Sequence, residues 1–185
     1  MDTPAAENHR RIEHALRVGT VMAVDHGRAV CRVRTGEITT DWIPWFVPRA
    51  GDTIEWSAPS VGEQLMLLST SGDTTGAVAL RGIYSNTYPA PANAESKHVH
   101  RYKDGAWFEY DDEAHSLVAT LPDGGTATLT ALGGTTINGD VQINGMVRVS
   151  ETVIAEVDVI AAGISLVNHV HRDVVSGPAD TGKPK

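Results

Sequence analysis

One period-2 pattern constrains this chain more than any other feature. From Ile137 to Gly163, thirteen of the fourteen odd positions are apolar or glycine, with Glu151 the exception, and most even positions are polar. Strands in globular proteins run about 3–10 residues. A phase held for 27 residues therefore means several short strands joined without changing the buried face. β-Helices and related stacked solenoids are written this way. Asn138-Gly139 and Asn144-Gly145 place tight bends six residues apart, a rung-like spacing. Such regular Val/Ile alternation is not a disordered composition.

The same region has no rings. All ten Phe, Trp and Tyr residues lie between Trp42 and Tyr110, and the 75 residues from Asp111 to Lys185 contain none. A stretch of Val, Ile, Ala and Gly has little core of its own. Three copies wound about one axis would bury all three apolar faces, small residues suiting the crowded centre and β-branched ones the pleat. An intertwined trimeric β-helix is expected for the shaft, residues 97–163, with a monomeric solenoid as the alternative. Within it, Lys97 to Tyr110 alternates polar and aromatic residues, and Thr126 to Leu132 reads as a Thr-rich strand after a turn at 121–125.

Upstream the punctuation changes. Residues 18–86 hold five or so short strands with turn signals every 8–12 residues, which fits a small OB-type barrel. The strands are read at 18–24, 29–34, 39–47, 53–56, 64–69 and 78–84. Cys31 sits in the alternating run Ala29 to Arg34 and reads as a packed thiol. Residues 1–17 form an N-terminal arm, helical over 5–17 with Ile12 and Leu16 spaced i, i+4. Pro89, Pro91 and three alanines mark 87–96 as a linker or cap. The fold class is thus all-β, ending in a tip at 164–185.

Charge excludes several functions. The chain carries 15 Lys+Arg against 23 Asp+Glu, a net charge of −8. Phosphate backbones need clustered basic residues, so no nucleic-acid partner is expected. One cysteine rules out an intrachain disulfide framework. No apolar run approaches the roughly 20 residues of a bilayer span, and Met1-Asp2-Thr3-Pro4 opens no signal peptide. A protein made and kept in the cytoplasm, unless a larger machine carries it out, is expected.

His169-Val170-His171 follows the alternating region. In an extended chain, residues i and i+2 face one side, with Cα atoms roughly 6.5–7 Å apart. Two imidazoles can then reach one metal. Alone they would leave most of an octahedron to water, whereas three chains about an axis would supply six. Imidazole suits Fe, Ni, Cu or Zn, but six nitrogens disfavour zinc, which is almost always tetrahedral in structural sites. The alternative is two surface histidines in a tail. His98-Val99-His100 repeats the motif among Lys97, Arg101 and Lys103 and reads as solvated. So do His9, His14, His26 and His115.

Two stretches carry a family resemblance. The first runs through Asp41-Trp42-Ile43-Pro44-Trp45, Arg49-Ala50-Gly51, Trp56, Pro59-Ser60-Val61-Gly62-Glu63-Gln64, Gly72-Asp73 and Tyr84-Ser85. The second is Ser165-Leu166, His169-Val170-His171, Gly177 and Thr181-Gly182-Lys183-Pro184. Together they resemble the baseplate assembly protein V family, the central spike of contractile-tailed phages. The resemblance implies a homotrimer with an OB collar, an intertwined β-helix and an apex holding one iron ion through His169 and His171 of each chain. It implies a tail-hub partner, location in the virion after assembly in the host cytoplasm, and mechanical opening of the bacterial outer membrane on sheath contraction. Calcium and chloride occur inside the shaft of some members. Arg172-Asp173 departs from the family pattern, where smaller residues are usual.

No enzymatic activity is expected, because a saturated ion offers no open position and no nucleophile elbow, P-loop or H-E-x-x-H occurs. The alternatives are the spike of a phage-derived injection device, an OB-fold binder of single strands, and a metal hydrolase.

Overall fold

The computed structural model describes residues 14–170 and Gly177. The chain divides into two compact units, which part between Thr128 and Leu129. Their elements are all β apart from short helical turns.

The first unit begins with β1 (Leu16–Asp25), β2 (Val30–Thr35), β3 (Ile38–Thr39), β4 (Ile43–Pro44), β5 (Gln64–Leu68) and β6 (Val78–Ile83). Strand β1 does two jobs. Its first half pairs with β5, from Leu16 opposite Leu68 to Thr20 opposite Gln64. Its second half pairs with β2, ending at Asp25 opposite Val30. The β1–β2 register slips between Val21 and Ala23, and such a bulge bends the strand and increases its twist. β4 pairs with β2, β6 pairs with β5, and a parallel bridge joins Trp45 to Ala79. Phe46 N donates to Ala79 O at 2.9 Å across the same seam. The ring of neighbours is therefore β1-β2-β4-β6-β5-β1, a closed five-stranded OB-type barrel with β3 as a short extra pair on β2.

The alternation that marks these strands also fills the barrel. Val21, Cys31, Val33, Ile43, Leu65, Leu67 and Ala79 are buried, and Trp45 closes one side. Packing is close enough to dictate one glycine. A Cβ on Gly19 would collide with Cγ1 of Val33 and lie 3.1 Å from the Arg34 carbonyl oxygen. Buried Thr40 accepts from Val33 N through its hydroxyl at 3.0 Å, so a polar group inside the wall has its partner.

Three elements differ from the sequence expectations. Leu16 and Arg17, assigned to the helix over 5–17, open β1 instead, because they complete the ladder with β5; the rest of that helix lies almost wholly outside the described residues. Thr53 to Trp56 forms no strand and contributes only the Ala50–Ile54 bridge. Thr126 to Leu132 is likewise unpaired in the single chain.

A second sheet completes this unit: β7 (Lys97–Arg101), β8 (Trp107–Asp111) and β9 (Ser116–Thr120), an antiparallel meander. Lys97 Nζ meets Glu109 Oε1 at 2.7 Å and Asp111 Oδ2 at 3.7 Å on one face. These carboxylates hold the Lys97 ammonium above its ordinary pKa, Glu109 first. Residues 87–96 are pinned at Tyr88, whose hydroxyl donates to Val61 O at 2.9 Å.

The second unit is built differently. None of residues 121–159 pairs as a strand. Pairing returns at β10 (Ile160–Ala161) and β11 (Ile164–Ser165), a two-residue ladder around Ala162-Gly163. Both turn residues have positive φ, which glycine adopts at little cost and alanine does not.

Candidate functional site

The residues after β11 are organised by one carboxylate. Asp158 Oδ1 accepts from Val159 N at 2.8 Å and from Val167 N at 3.2 Å. A hydrogen bond from the Ser165 side chain, together with these backbone donors, holds its pKa below the ordinary value. Leu166 N donates to Val159 O, and Asn168 N to Ser165 Oγ at 2.8 Å. The turn 158–168 is thus closed by its own hydrogen bonds.

His169 emerges from this turn. Its Nδ1 lies 3.1 Å from both Ser165 O and Leu166 O. Carbonyl oxygens only accept, so Nδ1 is the donor in these contacts. A metal-binding histidine is usually set up in this way, the outer nitrogen donating to a backbone carbonyl to fix tautomer and ring direction. The ring also borders a cavity of about 290 Å³ lined by Val159, Ala161, Ile164, Ser165 and Leu166. His171, the second expected ligand, lies outside the described residues, as do Arg172 and Asp173. Among the described residues, no group of three or more His, Cys, Asp or Glu side chains could hold a metal within one chain.

The barrel presents a different surface. Trp45 is core, with Trp56 edge-on to it at 5.7 Å and 62°. Trp56 and Trp42 are exposed. Arg28 stacks over Trp42 at 5.0 Å and is steadied by Asp25, 2.8 Å from its Nε. That pairing, chiefly with the Arg28 side chain, lowers the Asp25 pKa. Burial pushes the Cys31 thiol up to about 11, so it is a packed group and a poor nucleophile. The signal that the sequence reading missed was Asp158: only its carboxylate's capture of the Val167 amide nine positions on makes it stand out. Among the described residues, no helix is long and apolar enough to cross a membrane.

The five-stranded OB-type barrel of the first unit defines a class of domain, and sequence comparison agrees on it. Residues 17–84 match the family described as Type VI secretion system/phage-baseplate injector OB domain, and the chain is similar to a phage baseplate spike. A particular relative is the spike protein of Escherichia phage P2, 40% identical over 128 residues. That match takes in 69% of this chain and 59% of the relative.

Proposed function

We propose that this chain is a structural, non-enzymatic tail spike that works as a homotrimer. The observation that carries the reading is the state of the second unit. Val141, Ile143, Val147, Val153 and Val157 are each more than half exposed in the single chain. Fully burying such a side chain is worth about 1.5–3 kcal/mol, and contiguous exposed apolar surface marks an interaction site. Two further copies of the same segment would cover it and supply the strand partners that residues 121–159 lack. Beyond the β7–β9 meander, the shaft expected over 97–163 then becomes a triple β-helix and 164–185 its apex.

Within this reading His169, with His171, holds one iron ion per trimer. Bound iron would supply coordination bonds that tie three chain ends together. Asp158 and Ser165 hold the turn from which His169 projects. The barrel, residues 18–86, faces the tail hub through its exposed Trp42 and Trp56. The assembled spike sits in the virion baseplate, after assembly in the host cytoplasm, and opens the bacterial outer membrane mechanically when the sheath contracts. Calcium and chloride inside the shaft belong to the same proposal. A second reading, the spike of a phage-derived injection device, is favoured by the matched domain description, which covers both systems.

Light scattering and elemental analysis on one sample test the proposal. A trimer with about one iron per three chains is expected. A metal-free monomer would overturn it.

A further inference from the structure

We propose that His98 and His100 form a second metal site, bidentate and suited to a tetrahedral divalent ion such as Zn²⁺. Both residues lie on β7, the edge strand of the meander. Both are exposed. Their Nε2 atoms converge to 3.4 Å, with the rings stacked at 5.4 Å and 28°.

The separation carries the argument. With Zn–N bonds of about 2.0–2.1 Å, two nitrogens 3.4 Å apart subtend an angle of about 112° at the metal. That is close to tetrahedral. A right angle, as in an octahedron, would need nitrogens about 2.9 Å apart at the same bond length. This pair therefore selects a different ion from six nitrogens around an axis.

The neighbouring cations do not oppose it. Lys97 and Arg101 alternate to the other face of β7, and Lys97 is engaged by Glu109 and Asp111. The histidines' own face is uncharged: His98 lies opposite Tyr110 and then Leu117, and His100 opposite Phe108 and then Ala119. Without metal, one Nε2–H donates to the other Nε2. On binding, that proton moves to Nδ1 of the same ring, both Nε2 lone pairs face the ion, and water completes the shell. The sequence spacing alone placed both rings on one side; the nitrogen separation is what singles out a site.

The site does not depend on the trimer or on the terminal histidines, so it is tested in the full chain carrying His169→Ala and His171→Ala. Titration with Zn²⁺ should show saturable uptake of one ion per chain. Adding His98→Ala or His100→Ala should remove it with the circular dichroism spectrum unchanged. Mg²⁺ and Ca²⁺, which prefer oxygen donors, should not compete. In the chain without the β7 substitutions, ¹⁵N imidazole signals of His98 and His100 should move together on Zn²⁺ addition. No saturable uptake, or uptake unchanged by His100→Ala, would overturn the site.

Discussion

Val33 and Val149 are the same residue in the same kind of alternating run. Val33 is 0% exposed, while Val149 is 50% exposed. The difference lies in where partner strands come from. β2 finds β1 and β4 within about 15 residues on either side, so its alternation closes a barrel inside one chain. The run around Val149 has no such strand neighbours among the described residues. Under the proposed trimer, identical patterning specifies a private core in one region and a shared one in the other.

That contrast can be broken by experiment. The largest effect should come from Val147→Asp, because threefold symmetry would bury three unpaired carboxylates at once, each costing several kcal/mol. Light scattering should show loss of the trimer, while the barrel still melts cooperatively. A trimer that survives would mean the odd positions do not face the axis. The converse substitution, Leu67→Ala, should cost about 2–5 kcal/mol of barrel stability, read by urea unfolding, and leave the trimer intact.

Gly19→Ala should destabilise the barrel by about 1–3 kcal/mol through overpacking against Val33, seen as a lower midpoint in the same titration. Trp42→Ala should change stability by less than about 0.5 kcal/mol, as expected of a surface position, yet weaken attachment to the hub in a pull-down of assembled baseplates. The subtlest effect concerns pH. The Asp158 pKa is lowered in the folded turn, so its contribution is present above the ordinary 3.8 and is lost as acid carries the pH down through the folded value. Hydrogen-exchange protection of the Val167 amide, which donates to this carboxylate, should fall below that point, and Asp158→Ala should show the lower protection already at neutral pH.

Much of the barrel was legible because period-2 alternation, turn residues and burial all point the same way within one chain. Thr126 to Leu132 and the run from Ile137 to Gly163 read as β in the sequence, yet only Ile160–Ala161 pairs within the chain, since alternation alone supplies no partner strand. Leu16 was misread because an i, i+4 spacing with Ile12 looks helical, while the ladder with β5 decides otherwise. At the apex, His169 was visible as a motif. Its orientation was not, because it depends on two carbonyl oxygens and on a turn closed by Asp158. Similarly, spacing could place His98 and His100 on one side, but only coordinates give a nitrogen separation.

Tyr88 has a consequence for how force travels. Its hydroxyl holds the Val61 carbonyl, and Ser85 and Tyr88 bond to each other through backbone and side chain. A Pro- and Ala-rich connector would ordinarily act as a slack tether. Clasped at Tyr88, its first residues work more like a shackle: in the proposed spike, a pull on the meander would meet the barrel wall at the 59–62 turn after passing through residues 89–96 alone.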